Sequence, residues 1–250
     1  MIQSYFNKIT ELQTLVMDNE KKNMEEAAKV IAKKINKDGI VQVFGCGHSH
    51  ILAEEVFFRA GSLACIKPIL HEPLMLHEGA VLSAQLEKRN GYAKEFIQNE
   101  DIRADDVVIV ISTSGRNPVP IDVAICAKEK GAFVIGITSK KYAKSQASLH
   151  ETGKYLHDFV DLVIDNHAYV GDAVLEHPFV RTSFSPTSTV IGSFILHALF
   201  AECIVEVSKY KIDPPVFMSG NIDGSSQYNL SLVEKYKKRI PKLTEGLLYH

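Results

Sequence analysis

Little in this chain speaks of export, a membrane or nucleic acid. Its four cysteines, at 46, 65, 126 and 203, lie far apart, form no C-x-x-C pair and sit in mostly apolar surroundings. That excludes a disulfide framework and points to reduced thiols in a cytoplasmic protein. The start, Met1-Ile2-Gln3-Ser4-Tyr5-Phe6-Asn7-Lys8, lacks the apolar core of a signal peptide. No apolar stretch is long and uninterrupted enough for a membrane span. Thr187 to Val207 comes nearest, but it carries Ser188, Ser193, His197, Glu202 and Glu206 and reads as a core helix. Lys and Arg total 28 against 30 Asp and Glu, a net charge of −2, so there is no basic field and no nucleic-acid partner is expected. Internal repeats and low-complexity segments are absent as well.

What is present is an alternation of apolar runs and amphipathic stretches. With 46% hydrophobic residues in 250, the chain can bury one good-sized core with terminal extensions. Ser4 to Lys37 reads as one or two amphipathic helices, stopped at Asp38-Gly39 with the glycine in the left-handed position. Apolar runs at 40–45, 64–67, 107–111, 132–138 and 159–165 read as strands, and helices are expected at 48–60, 92–98 and 118–130. Ser185 and Pro186 are placed at the cap and first position of a helix running to about Lys209, and 221–229 is read as a polar loop before a last charged helix. Strands that are apolar on both faces, alternating with helices, imply a parallel α/β sheet. The expected units are 1–38 (N-terminal helices), 39–210 (the α/β domain) and 211–250 (a C-terminal extension).

Two serine-bearing strand-to-helix turns carry the chemistry. Gly45-Cys46-Gly47-His48-Ser49 closes the first strand, and Ser112-Thr113-Ser114-Gly115 closes the strand at 107–111, followed by Arg116 and Asn117 as further donors. Hydroxyls and unpaired amides at a helix N-terminus favour an anion, so a bound phosphate is expected. A dinucleotide reading is disfavoured: His50 replaces the third glycine of G-x-G-x-x-G, and Lys67-Pro68 stands where the acidic residue belongs. Cys46 could be activated by the helix N-terminus but reads as filler between two glycines.

On these two turns, the helix Ile121 to Lys130 and the strand Phe133 to Thr138, the sequence resembles the SIS (sugar isomerase) family over roughly residues 25 to 210, with phosphoheptose isomerases as its nearest functional relatives. The resemblance implies a three-layer, flavodoxin-like sandwich on a five-stranded parallel sheet. It also implies a sugar-phosphate ligand and a homodimer or homotetramer with sites at subunit contacts. Ser112 and Ser114 occupy the family's phosphate-binding serine positions, with Ser49 as partner from the first turn. Thr113 and Asn117 complete the phosphate set, Asn117 standing where the family more often has Ser or Thr.

His197 matches the family's acid catalyst, and Thr189, Ser193 and His197 make a polar stripe on an otherwise apolar helix. The family's basic glutamate, ten residues after the first-turn serine, is replaced by Arg59. Glu55 is the first candidate base, although Glu55 and Arg59 at i,i+4 also fit an ordinary ion pair; Glu72 and Glu78 are the others. Gly47, His48, Arg59, Asp172, Thr189 and Asn221 are the expected sugar-binding residues. His71, His77, Glu78 and His197 are of metal-ligand type, but no tight spacing supports a zinc site, so neither metal nor cofactor is expected. The reading is an aldose–ketose isomerase working through an enediol. The alternatives are an etherase or lyase on a phosphorylated amino sugar, or a non-catalytic phosphosugar sensor.

Overall fold

The structure, a computed structural model, describes residues 1–246; the last four residues of the expected C-terminal extension lie outside the described residues. In chain order the elements are α1 (Ile2–Ile35), β1 (Val41–Gly45), α2 (His48–Glu55), β2 (Ile66–Ile69), α3 (Leu76–Leu86), α4 (Lys94–Ile97), β3 (Val107–Ile111), α5 (Pro118–Glu129), β4 (Phe133–Thr138), α6 (Lys140–Ser145), β5 (Leu162–Asp165), β6 (Leu175–His177), β7 (Val180–Phe184), α7 (Ser188–Ser208) and α8 (Ser225–Tyr236). The five main strands form one parallel sheet in the order β2-β1-β3-β4-β5, in register through pairs such as Val43 with Ile109 and Ile109 with Ile135. The three-layer fold expected from the sequence is present.

Period-two alternation explains the layers. Val107, Ile109 and Ile111 face a core shared with α1, α2 and α7, whereas Val108 and Val110 face the core built by α4 and α5. Strands buried on both faces run largely apolar, and β3 is apolar at every position. Among the described residues α7 is the one helix long and apolar enough to cross a membrane by length and composition, and half of it is buried inside the fold, chiefly against α1 and α2.

Several local expectations are corrected. Asp38, not Gly39, takes the left-handed position after α1, with φ of 61°. Gly39 is required for space instead, because a Cβ there would sit 1.8 Å from the Asp105 carbonyl oxygen. α2 stops at Glu55 because Phe58 turns left-handed (φ 46°) and sets its ring edge-on to Phe217 at 4.9 Å. β2 sits two residues later than expected and takes in Pro68, which an edge strand tolerates. α7 starts at Ser188, with Ser185 left-handed (φ 67°), so Pro186 precedes the helix. The second half of the 221–229 segment is helical, as α8. The hairpin β6–β7 has no counterpart in the sequence reading.

One buried carboxylate ties distant parts together. Asp106, with no exposure, accepts from the main-chain N–H of Ile40 (3.0 Å) and of Arg103 (2.9 Å), from Gln42 Nε2 (3.0 Å) and from Arg239 Nη2 (2.7 Å). It joins the starts of β1 and β3 to the chain beyond α8.

Candidate functional site

The strand order places a topological switch between β1 and β3, since the chain steps to β2 on one side and to β4 and β5 on the other. Ligands of open α/β sheets bind at that point, outside the carboxyl ends of the strands. Gly45 and Ile111, the last residues of the two strands, are paired there, so both serine turns leave the sheet side by side. They open onto a cleft of ≈ 380 Å³ that is lined by Gly47, His48 and Ser49, by Ser112, Thr113, Ser114 and Asn117, and by Glu87, Tyr142, Asp172 and Ser188.

The donors differ from those a helix N-terminus would supply. At the start of α5, Pro118 and Pro120 have no N–H, and the Val119 N–H donates to the Glu87 carbonyl at 3.2 Å. In the first turn the Ser49 and His50 amides donate to the carbonyls of Cys46 and Gly47. What remains open is the hydroxyls of Ser49, Ser112 and Ser114, and the amides of Thr113 and Ser114, none with a protein partner among the described residues. Thr113 is braced by Asn166, whose Nδ2 donates to its Oγ1 at 3.2 Å. Gly115 is left-handed (φ 60°) and lies so close to Thr138 that a Cβ would meet Oγ1 at 2.6 Å, which fixes the second turn against β4. Arg116 faces away, its Nε donating to the Ala147 carbonyl at 2.8 Å.

The cleft also holds carboxyl groups. Glu87 follows α3 directly, in a stretch for which no element was expected, where Gly79 (φ 147°) breaks the helix. Burial pushes its carboxyl above the usual range, and hydrogen bonding by Asn117 with the Lys88 charge draws part of that shift back. Burial, with Glu87 nearby, pushes the Cys46 thiol well up, so it is no nucleophile. Asp172, expected to hold sugar hydroxyls, has both oxygens engaged. It accepts from the N–H and Oγ1 of Thr187 (3.0 Å each) and from the N–H and Oγ of Ser188 (2.9 and 2.5 Å), and so caps α7.

Other sequence candidates lie outside this cleft. Glu55 Oε1 accepts from Arg59 Nη1 at 2.8 Å and lies 3.2 Å from His197 Nε2, so these three form a separate, partly exposed cluster between α2 and α7. Thr189 is half-buried on α7, and its neighbour Ser188 faces the cleft instead. Asn221 is exposed, its N–H on Ser219 Oγ. Glu72 is exposed, Glu78 pairs with His77 at the surface (3.6 Å), and His71 stacks on Phe96 and bonds the Tyr92 hydroxyl at 2.9 Å. Among the described residues, no group of three or more His, Cys, Asp or Glu is arranged to hold a metal.

Comparison with known proteins places this architecture. Residues 4–139 match the SIS domain family. A UPF0309 protein of Geobacillus kaustophilus is 60% identical over 246 residues, covering 98% of each chain. A UPF0309 protein of Halalkalibacterium halodurans is 57% identical over 243 residues, 97% of each. Among solved structures, a phosphoheptose isomerase from Neisseria gonorrhoeae is similar with a TM-score of 0.55 at 18% identity, covering 83% of this chain and 97% of the other; that likeness shows the fold.

Proposed function

Because the chain belongs to the SIS domain family, we propose that its cleft binds a sugar phosphate and interconverts aldose and ketose forms by proton transfer. The observation that carries this reading is the meeting of three unengaged serine hydroxyls with one half-buried carboxyl in a single cleft at the sheet's switch point. Ser49, Ser112 and Ser114, with the amides of Thr113 and Ser114, hold the phosphate. Holding that remote group fixes the reacting carbons in place. Glu87, made a stronger base by burial, removes the proton alpha to the carbonyl to give an enediol(ate). The His48 imidazole at the rim carries a proton between the two oxygens, and returning the first proton to the neighbouring carbon completes the exchange. Each such group contributes about 10²- to 10⁴-fold.

A second reading, a sensor without turnover, is favoured by the pairing of Glu55 with Arg59 and His197 away from the cleft. One experiment separates the two. A panel of sugar phosphates in D₂O is followed by NMR, and isomerisation washes deuterium into the carbon alpha to the carbonyl. Saturable binding without exchange selects the sensor, and neither binding nor exchange overturns both.

A further inference from the structure

Outside the cleft lies a buried acid–histidine pair that the proposed reaction leaves unused. Asp122 of α5 and His150, in the loop after α6, are 6% and 5% exposed, and Asp122 Oδ1 stands 3.0 Å from His150 Nε2. The other ring nitrogen shows where the proton is. The Thr152 N–H points at Nδ1 (3.3 Å), and the Thr152 hydroxyl, whose oxygen accepts from the Lys154 N–H, stands 2.7 Å from it. Nδ1 is therefore an acceptor, and Nε2 carries the hydrogen given to Asp122. A buried carboxylate with its partner adds little stability over apolar packing of the same volume.

The bonds around the pair lead to both halves of the proposed site. The second Asp122 oxygen accepts the Gly91 N–H at 3.1 Å. The neighbouring Asn90 clasps the His150 loop, its Nδ2 donating to the Leu149 carbonyl (3.2 Å) and its Oδ1 accepting the Glu151 N–H (2.9 Å). Residues 90 and 91 continue the segment that carries Glu87. The same loop reaches the phosphate turn, where the N–H groups of Leu149 and Leu156 donate to the carbonyls of Arg116 (2.9 Å) and Gly115 (2.8 Å). Neither Asp122 nor His150 lines the cleft.

We propose that Asp122 and His150 are positioning residues of this site: they lock the segment bearing Glu87 to the loop that backs the serine turn, and so set the base relative to the bound phosphate. The inference rests on the reading of Glu87 as that base. A misplacement of about 1 Å far from the chemistry can cost on the order of 10²-fold in rate. The phosphate contacts themselves do not depend on the pair, because the Thr113 carbonyl accepts the Ser139 N–H at 2.9 Å and its hydroxyl is held by Asn166.

Two substitutions separate the roles of the ring. His150→Gln keeps a donor at the Nε2 position, whereas His150→Asn keeps an acceptor at the Nδ1 position and is too short to reach Asp122. On the full chain the Glu87 carboxyl is titrated by carbon-13 NMR, its signal assigned by its loss in Glu87→Gln, and inorganic phosphate binding is measured by calorimetry. His150→Asn is expected to admit water beside the segment, so that Glu87 titrates lower, toward the ordinary carboxylate range, while phosphate affinity stays within about threefold. His150→Gln is expected to keep the wild-type titration. Asn90→Ala, at an exposed position, is expected to shift Glu87 in the same direction as His150→Asn, and decides the matter should that variant fail to fold. On a sugar phosphate that exchanges deuterium, His150→Asn should lower kcat by at least about tenfold with KM little changed. A Glu87 titration that neither His150→Asn nor Asn90→Ala moves, or that His150→Gln moves equally, would overturn the proposal. Absence of exchange in the wild type, with the titration shifts as expected, would overturn the isomerase reading and not the tie between the two segments.

Discussion

The main-chain carbonyl of Glu87 accepts the Val119 N–H at 3.2 Å, so the residue after α3 is fastened to the first turn of α5. That bond fixes the Glu87 main chain relative to the start of α5, and the Asn117 side chain stands beside its carboxyl.

Under the proposed mechanism Glu87→Gln is expected to lower turnover by about 10²- to 10⁴-fold while phosphosugar affinity is kept or rises. A base acts only when deprotonated, so the raised Glu87 pKa sets the acidic limb of the kcat/KM profile above the usual carboxylate range. Asn117→Ala removes a group that draws the pKa down and should move that limb further up. Steady-state kinetics across pH read both effects, and a limb that ignores Asn117 would remove Glu87 from the role.

The phosphate end makes a different prediction. Hydrogen bonds to a charged group are worth about 1.5–3 kcal/mol each, so Ser112→Ala with Ser114→Ala should weaken binding of a sugar phosphate by a few kcal/mol in calorimetry. Affinity left intact would locate the anion elsewhere.

Asp172 couples stability to affinity. It caps α7 from a left-handed backbone (φ 50°) that Asn also tolerates, so Asp172→Asn should fold. The amide turns one accepting oxygen into a donor and strips a partner from Thr187 or Ser188, a loss of about 1–3 kcal/mol seen as a lower melting temperature. The same change removes a negative charge from the cleft, so phosphate should bind more tightly. Unchanged affinity would mean that the phosphate sits far from the start of α7.

A second pH effect arises where α1 meets the loop after β5. His167 Nε2 lies 3.6 Å from Glu20 Oε1, and Asn23 donates to the other Glu20 oxygen at 2.8 Å. The Glu20 contact raises the His167 pKa; burial opposes a low Glu20 pKa, but His167, Asn23 and the backbone bring it below its usual value. A raised histidine stabilises fully below its unfolded pKa and loses that contribution as pH rises through its folded one. A lowered carboxylate stabilises above its unfolded pKa and loses that as pH falls. The pair therefore contributes most in the mildly acidic window between them. Melting temperatures from about pH 6 to 9 should fall more for the wild type than for His167→Gln; equal slopes would refute the coupling.

The sheet and the serine turns were legible because buried parallel strands write themselves as unbroken apolar runs, and hydroxyls beside glycine at a strand end have few other uses. Glu87 was not legible, since the helix before it is interrupted at Gly79 and too short to display a period. The capping role of Asp172, expected to bind sugar, was not legible because its partners, Thr187 and Ser188, are 15 and 16 residues away. The Glu55–Arg59 pair was legible from its i,i+4 spacing, but its meeting with His197 depends on how α7 packs on α2, and no pattern in sequence says which side of α2 opens onto the cleft.

The Asp106 hub bears on how the gene can be cut. An expression fragment ending near residue 210, where the α/β unit reads as complete, would delete Arg239 and leave a wholly buried carboxylate facing amides alone. Stripping one partner from a buried ion pair costs about 3–5 kcal/mol, a large share of an ordinary domain's margin. The tail is thus a buckle rather than a trailing end, and a trimmed protein would open first at the amino ends of β1 and β3, on the rim opposite the serine turns.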